Sequence, residues 1–253
     1  MKTELIYGIN SVLSVLRSAR RKSLNLYYKS PSEVVKNTYK TESLEEILRL
    51  ASSTNIKIHM VQSKDLNLLS NYRSHQNVVL ETSLFPIQSI RNIRNGNILF
   101  LERVTDTLNI GSILRSALFF GFDQVICCPF YYSACSPLVS KVSCGALDYL
   151  EIYGVDSVMD VHSQNHLLIG TSCRLADSNN YHPNTLSKIL RKNNLNKSIN
   201  LAIGNEELGL SEETLSNCDY TVTIPGSVSQ HQGQYSLNAS VSAGILMQIF
   251  CSK

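Results

Sequence analysis

The chain has 253 residues, with 43% hydrophobic and 17% charged side chains, a net charge of +3 and no tryptophan. No apolar run approaches the ~20 residues that a membrane-spanning helix needs, so we expect no membrane partner. The mild positive charge permits a polyanionic partner without requiring one. The seven cysteines lack C-x-x-C spacing, which favours buried thiols in a reducing compartment over disulfides or a zinc site, and we expect no metal.

The first third of the chain alternates strand-like and helical segments. Strands are predicted for LIYG, LNLYY and IKIHMV. The segment from Ile9 to Lys22 is basic and poor in acids, which faintly resembles an organellar presequence. Its apolar residues equally form the buried face of a helix, and we interpret the segment as one. A second helix is predicted for SLEEILRLASS, with Ser43 as N-cap and Glu46 completing a capping box.

A polar segment, PIQSIRNIRNGN, lies between Pro86 and Gly96 and predicts a linker. We therefore expect a first domain over residues 1–85, a linker over 86–96 and a second domain over 97–253. In the second domain, helical segments alternate with the strand-like segments ILFLERV, QVICC, YLEIYGV, HLLIGTS, SINLAIG and YTVTIP. This alternation predicts an α/β fold with a mostly parallel sheet covered by helices on both faces.

The helix predicted over residues 110–120 carries the first candidate site. Asn109 can cap it, and Gly121 can end it in a left-handed conformation. The buried face is predicted to consist of Ile110, Ile113, Leu114, Ala117 and Leu118. Gly111 and Arg115 lie one turn apart on another face, so the guanidinium projects beside a position without a side chain. Arg115 is then either a solvated surface residue or a functional one.

The second candidate site is the segment IGNEELGL, which follows the apolar run SINLA. It places two carboxylates, Glu206 and Glu207, between Gly204 and Gly209 where a buried strand ends. A strand, a glycine loop and a helix start capped by Ser211 mark the usual ligand position in an open α/β sheet. Neither a dinucleotide fingerprint nor a phosphate loop is present, and carboxylates favour a ligand with hydroxyls or positive charge. The alternative is an acidic turn before a helix.

The third candidate site is YSLNASVSAGILMQIF near the C-terminus, which predicts a final helix from Ser236. Asn238 lies at its N-terminus and serves either as a capping residue or as a site residue. A buried stripe is predicted for Leu237, Val241, Ile245 and Ile249. A small-residue surface able to pack closely against another helix is predicted for Ala239, Ser242, Ala243 and Gly244.

The three segments occur in a fixed order: D-x-x-N-x-G-x-x-x-R-x-A, then G-N-E-x-x-G-L-S, then x-I-P-G…S-L-N-x-S-V-x-A. This series resembles the three signature motifs of the SpoU (TrmH-like) RNA 2′-O-ribose methyltransferases, and the resemblance covers the chain from about Asn97 onward. The segments IYGINSVLSVL and SHQNVVLE resemble the small ribosomal-protein-like RNA-binding domain that many members carry. Together they are most similar to the mitochondrial large-subunit rRNA branch that makes 2′-O-methylguanosine.

The resemblance implies a fold, a cofactor and partners. The α/β methyltransferase domain would carry a deep trefoil knot, a rare exception to unknotted topology. S-adenosylmethionine would be held mostly by backbone atoms of Gly204, Ile224 and Leu237. The substrate would be rRNA and the active unit a homodimer. The compartment would be the mitochondrion, with a bacterial-type cytoplasm as the alternative.

The resemblance also implies roles for the residues of the three motifs. Arg115 would bind the phosphate next to the target ribose and stabilise the developing alkoxide, because an arginine is essentially always protonated and is a poor base. Asn109 and Asn238 would orient the ribose and the arginine. Glu206 would fix the loop and its polar partners.

The first domain would hold the RNA substrate. Phosphate contacts are expected from its basic residues Arg17, Arg20, Arg21 and Lys22, each of which is equally compatible with a solvated helix face. Tyr27 and Tyr28 can stack on bases, although one of them should face the core.

The chain departs from the family pattern at two positions. Glu207 stands where the family usually has glycine, which implies strain if that residue needs a positive φ. Tyr235 stands where a glutamate commonly precedes S-L-N. These departures leave open a decayed methyltransferase that acts as a non-catalytic RNA-binding or ribosome-assembly factor. A nicotinamide-dependent oxidoreductase is disfavoured by the missing glycine fingerprint.

Overall fold

A computed structural model gives the fold of the protein. It describes residues 2–29, 38–90, 93–129, 132–156, 166–172, 180–192, 198–226 and 236–251. The chain forms two compact units, and the first contains Met1–Pro86 together with Cys135–Tyr149. The second contains Ile87–Ala134 and Leu150–Lys253. The first unit is therefore built from two separate stretches of chain, and the domain limits drawn from the sequence stay a prediction.

The described residues form eight α-helices and eleven strands. The helices are α1 Ile9–Ser18, α2 Thr38–Ser52, α3 Ser63–Leu69, α4 Thr107–Phe120, α5 Pro137–Val142, α6 Pro183–Lys192, α7 Glu212–Asn217 and α8 Ala239–Cys251. The strands are β1 Thr3–Tyr7, β2 Ser23–Tyr28, β3 Lys57–Met60, β4 Val78–Ser83, β5 Ile98–Glu102, β6 Gln124–Cys128, β7 Glu151–Gly154, β8 His166–Thr171, β9 Asn180–Tyr181, β10 Ser198–Ile203 and β11 Tyr220–Val222. Short 3-10 turns follow at Tyr132–Cys135 and Ala146–Tyr149.

The first unit is organised around a four-stranded sheet in the order β1-β4-β2-β3. Strand β4 pairs antiparallel with β1 and β2, whereas β2 and β3 are parallel, so β3 is an edge strand. The segment that contains Ile9 is a helix, as predicted, and it buries Val12, Leu13 and Val15 in the core. Leu26 of the sheet packs in the same cluster and is fully buried, so the helix and the sheet share one core.

The second helix differs from the sequence prediction at its start. Helix α2 begins at Thr38, so Ser43 lies inside the helix, where it is buried. The predicted capping box of Ser43 and Glu46 is therefore wrong, because only the N–H groups of the first turn of a helix lack a backbone partner and Ser43 lies beyond that turn. A capping box is found instead at α3, between Gln62 and Asp65.

Arg21 lies in the core of the first unit and is 3% exposed. Its Nε donates to Oδ1 of Asp148 at 2.6 Å, its Nη1 pairs with the carboxylate of Glu4, and its guanidinium lies 5.0 Å from the ring centroid of Phe85. The prediction that Arg21 binds RNA is wrong, because its guanidinium is buried and already pairs with the carboxylates of Asp148 and Glu4.

The second unit contains a seven-stranded sheet in the order β7-β6-β5-β10-β8-β11-β9. All of its described pairings are parallel, which confirms the predicted α/β fold with a mostly parallel sheet. Strands β5 and β10 are neighbours, with Leu101 opposite Ile203. The segments that leave these two strands, at Glu102 and at Gly204, therefore start side by side at the carboxyl edge of the sheet.

Helix α4 starts earlier than the sequence predicts. Its N-cap is Asp106, whose carboxylate accepts a backbone N–H of the first turn, so the prediction that Asn109 caps the helix is wrong. Asn109 is the third residue of the helix, and its side chain is left for other contacts. Gly121 ends the helix with φ 82°, as predicted. Leu118 is 36% exposed, so the buried face is narrower than predicted.

Helix α8 begins at Ala239 and contacts α4 and α6. Its buried residues are Ala239, Ala243, Leu246 and Met247. The predicted buried stripe is wrong, because Leu237 and Val241 are each 48% exposed and Ile245 and Ile249 are only partly buried. Two alanines of the predicted small-residue surface are buried instead, which rotates the packed face of the helix away from the larger apolar side chains.

Candidate active site

The loop after β10 folds back on itself at the carboxyl edge of the sheet. The N–H of Gly209 donates to the carbonyl of Asn205 at 2.9 Å, and the Asn205 side-chain Oδ1 accepts from the N–H groups of Glu207 and Leu208. A Cβ on Gly204 would meet the Gly209 carbonyl carbon well inside van der Waals contact, so only glycine fits there. Glu207 does not adopt a positive φ, so its backbone carries none of the strain considered for a glutamate at this position.

The end of β5 anchors this loop. The Asn205 Nδ2 donates to the Arg103 carbonyl at 3.2 Å, and the Arg103 Nη2 donates to the Gly209 carbonyl at 3.4 Å. The buried carboxylate of Glu102 accepts the N–H of Ser211 at 3.0 Å, just before α7. Arg103 itself has φ 56°, in the left-handed region. These contacts hold both ends of the loop against one strand.

The three sequence motifs meet beside this loop. Asn109 of α4 donates through Nδ2 to Oε1 of Glu206. Asn238 donates through its own Nδ2 to Oδ1 of Asn109 at 2.8 Å, across 129 positions of sequence. The Ser236 hydroxyl donates to the Glu206 carbonyl at 3.5 Å. One residue from each motif thus enters a single hydrogen-bonded chain, Glu206–Asn109–Asn238.

Asn238 caps helix α8, and its role as a site residue stays a prediction. It immediately precedes α8, and its Oδ1 accepts the N–H of Ser240 at 2.9 Å and the Ser240 hydroxyl at 2.6 Å, which is the behaviour of a cap. Its Nδ2 remains for Asn109. The start of α8 is therefore fixed relative to α4 by one bifunctional amide side chain.

The side chains of this cluster offer hydrogen bonding to a ligand. One carboxylate and two amides at a partly open surface can orient a hydroxyl-bearing ligand. Among the described residues, no three His, Cys, Asp or Glu side chains group as a metal site requires. Burial raises the pKa of the Cys127 and Cys218 thiols to about 12, so they are neutral and poor nucleophiles at neutral pH.

The other predicted site residues lie around the cluster or outside the described part of the chain. Arg115 is exposed on α4, and no hydrogen bond in the described residues joins it to Asn109. Ile224 follows β11, and Leu237 directly precedes the cap of α8. Tyr235 lies outside the described residues.

The basic residues predicted to hold RNA separate into buried and accessible ones. Arg17 is half exposed and pairs with both oxygens of Glu46 at 2.8 Å. Such a surface pair is weak enough to yield to a phosphate. Lys22 is exposed, and Arg20 is partly exposed. Arg21 is the buried member described above.

The sequence analysis did not identify Glu102 and Arg103 as residues that hold the loop of the candidate site. Their signal was available: two adjacent charged residues follow the apolar run ILFL, at the position where ligands bind in open α/β sheets. The described part of the chain holds no helix with the length and apolar character required to cross a bilayer.

Comparison with known proteins gives two family matches. The model of the SpoU rRNA Methylase family matches residues 96–248, and the model described as RNA 2′-O ribose methyltransferase substrate binding matches residues 5–88. The chain is 26% identical to the mitochondrial rRNA methyltransferase 1 of Homo sapiens, over 100% of this chain and 73% of that protein. It is 27% identical to the 23S rRNA (guanosine-2′-O-)-methyltransferase RlmB of Coxiella burnetii, over 97% of this chain and 94% of that protein.

Solved structures share the fold. The AdoMet-bound rRNA methyltransferase from Sinorhizobium meliloti superposes with a TM-score of 0.76 at 20% identity, over 98% of this chain and 86% of that one. The SpoU methyltransferase AviRb from Streptomyces viridochromogenes, in complex with AdoMet, gives 0.72 at 24% identity, over 98% and 88%. At these identities the likeness establishes the fold alone.

Proposed function

The chain belongs to the SpoU rRNA methylase family, and from this premise we propose that it transfers a methyl group from S-adenosylmethionine to a ribose 2′-OH of rRNA. The proposed target is a guanosine of the large-subunit rRNA, as the name of the RlmB relatives states for those proteins. The observation that carries the proposal is the hydrogen-bonded chain Glu206–Asn109–Asn238, which joins the three motifs.

The loop after β10 fits the proposed cofactor. Gly204 presents backbone without a side chain where a Cβ has no room, and the neighbouring turn is held by Asn205. Backbone atoms of Gly204, Ile224 and Leu237 are the proposed contacts. When bound, S-adenosylmethionine supplies a methyl group that its positively charged sulfur has already activated.

The side chains of this site then have two tasks, to position the ribose and to stabilise its 2′-oxygen as the hydroxyl proton leaves. Asn109 and Asn238 orient the ribose, and Glu206 fixes Asn109 through its carboxylate. Arg115 holds the adjacent phosphate and stabilises the developing alkoxide, while phosphate or solvent receives the proton, because a guanidinium does not act as a base.

A homodimer with a knotted C-terminal region is part of the proposal. The dimer is supported by exposed apolar side chains on and beside α4 and α8, namely Leu108, Leu118, Phe119, Leu237 and Val241. Light scattering on the purified protein tests the dimer, and a monomer at micromolar concentration would contradict it.

A mitochondrial location is the favoured compartment, because mitochondrial relatives from Homo sapiens and Schizosaccharomyces pombe match 97% or more of this chain. Bacterial RlmB proteins match over a similar share, so a bacterial-type cytoplasm is the alternative. Fractionation of the source cells decides between them.

The first experiment is a calorimetric titration with S-adenosylmethionine, followed by ribose-methylation mapping on unmodified large-subunit rRNA fragments. We expect one cofactor per chain and one methylated ribose. Arg115→Lys should bind the cofactor normally and lose about 100-fold in methyl transfer, because it lacks the forked guanidinium. Arg191→Lys, the same change on the exposed face of α6, is the control. No cofactor binding, with or without RNA, would contradict the proposal and favour an assembly factor.

A further inference from the structure

A groove of about 570 Å³ opens beside the start of β2 in the first unit. Its lining includes the apolar residues Leu16, Leu24 and Ile56 and the polar residues Asn25 and Asn55. This volume lies within the range of pockets that hold small ligands, and apolar walls with a few polar groups are typical of such sites. A single nucleotide is a ligand of suitable size.

The described residues that line the groove carry positive charge. Lys22 and Lys57 line it and are both exposed, and none of the described lining residues is acidic. Arg21 is also a lining residue, but its side chain is buried and pairs with Glu4 and Asp148 on the core side. Two free ammonium groups beside an apolar wall favour a ligand that has both phosphate and a flat apolar part.

An aromatic stack adjoins the groove on the same sheet. Tyr27 and His59 are paired on β2 and β3, and their rings stack at 5.1 Å with an angle of 19°. His59 is exposed on the edge strand, so it ends the stack on the outer side. Tyr28 packs against the core cluster that contains Leu26, and Tyr27 packs against a second, smaller cluster that contains Leu66 and Val79, so both tyrosines are partly buried.

A hydrogen bond links the stack to the groove. The His59 Nε2 lies 3.2 Å from the Asn25 Oδ1, and Asn25 also lines the groove. The Asn25 Nδ2 donates to Glu81 at 2.6 Å, which fixes the orientation of the amide. The histidine ring is thus held in one position relative to the groove.

We propose that this edge of the first unit binds single-stranded RNA, with one nucleotide in the groove, its phosphates against Lys22 and Lys57, and the next base stacked on His59. The inference rests on the proposed RNA substrate and adds where the first unit holds it. Stacking on an open aromatic face beside cationic side chains is how proteins bind unpaired bases with little sequence preference.

The charge part of the proposal is tested by fluorescence anisotropy on the full chain, with a labelled single-stranded RNA of mixed sequence. Lys57→Glu and Lys22→Glu should each weaken RNA binding about 10-fold and lower the salt dependence by about one released ion. Lys64→Glu makes the same change at an exposed position of α3 outside the groove and should stay within about 2-fold of the wild type.

The stacking part is tested at His59. His59→Ala should weaken binding about 5-fold, whereas His59→Phe should keep wild-type affinity because it retains a flat ring. Equal affinities of Lys57→Glu and Lys64→Glu, or of His59→Ala and the wild type, would overturn the proposal.

Methyl transfer is measured on the same proteins to separate this inference from the proposed function. A wild-type protein that binds RNA but transfers no methyl group would remove the enzymatic proposal, and the RNA affinities would still decide the groove. Wild-type cofactor affinity in Lys57→Glu is expected, since the variant changes only RNA binding.

Discussion

Arg103 combines a costly backbone conformation with contacts to the candidate site. Its φ of 56° lies in the left-handed region, which disfavours side chains larger than glycine by about 1 kcal/mol. Its guanidinium donates to the Gly209 carbonyl, and its own carbonyl accepts from Asn205. These two hydrogen bonds to the loop, one from the side chain and one to the backbone of Arg103, offset the strain of its conformation.

Two substitutions at Arg103 separate the strain from the contacts. Arg103→Gly and Arg103→Ala both remove the guanidinium, so both should weaken cofactor binding about 10-fold, as for a loop held about 1.4 kcal/mol less tightly. Only Arg103→Ala keeps the backbone strain. The free energy of unfolding of Arg103→Gly, measured in urea, should therefore be about 1 kcal/mol higher than that of Arg103→Ala. Equal unfolding free energies would show that residue 103 is not left-handed in solution.

The bond between Asn109 and Glu206 gives a second prediction. Asn109→Asp places two carboxylates in contact and should lower methyl transfer about 100-fold, because the chain of hydrogen bonds can no longer form. Combining it with Glu206→Gln restores a donor and an acceptor in the reverse direction and should recover most of the loss. Methyl-transfer rates of the four proteins form a double-mutant cycle. Losses that simply add would argue against a direct bond.

Residue identities at the site were predictable from the order of three short motifs, but their contacts were not. Asn109 was expected to cap α4, and its bond to Glu206 depends on strands β5 and β10 being neighbours. That pairing joins segments about 100 residues apart, which local periodicity does not encode. The burial of Arg21 was equally unpredictable, because its partner Asp148 comes from a distant stretch of chain.

The strands of the parallel sheet other than β9 were predictable from the sequence, but helices α3 and α6 were not predicted, and the buried faces of helices were less predictable than their positions. The apolar runs gave the parallel sheet, because buried strands need apolar residues on both faces. The buried face of helix α8 differs from the predicted one. Apolar residues, small and large, lie on more than one face of this helix, so the sequence pattern does not show which face packs. Tertiary packing against α4 and α6 decides that Ala243 is inside and Val241 outside.

The close approach of Gly204 to Gly209 in the loop after β10 leads to a prediction about this element. Gly204→Ala should destabilise the protein by several kcal/mol and abolish cofactor binding, because the new Cβ meets the backbone of Gly209, which cannot move aside as a flexible side chain would. Gly244→Ala is the matched control: its Cβ meets nothing within 4 Å, and the helix should gain up to about 1 kcal/mol. Thermal unfolding and calorimetry measure both. Normal cofactor binding by Gly204→Ala would disprove the close approach.

At the scale of the whole molecule, the core of the first unit places two carboxylates on one arginine. Burial raises the pKa of Glu4 to about 7, with Arg21 opposing the shift, and it also raises the pKa of Asp148. One guanidinium neutralises one carboxylate, so a second ionised carboxylate leaves a net buried charge. Protonation of Glu4 relieves that charge.

This network predicts a pH dependence of stability. The pKa of Glu4 is higher in the folded than in the unfolded chain, so the folded state binds more protons between pH about 4.5 and 7. The free energy of unfolding contributed by Glu4 should therefore fall as pH rises through this range, by about 1 to 3 kcal/mol. Glu4→Gln should flatten the profile in urea unfolding, whereas Glu42→Gln, an exposed change on α2, should keep it. A wild-type profile in Glu4→Gln would contradict the shift.

The two-part composition of the first unit has a consequence for biosynthesis. Its sheet is complete once residue 86 has been made, but Asp148 and helix α5 belong to the same unit and are translated about 60 residues later. Arg21 and Glu4 must wait for that stretch to leave the exit tunnel, which at ~5–20 residues per second takes several seconds. The beginning of the chain is thus held incomplete while the middle is still being translated.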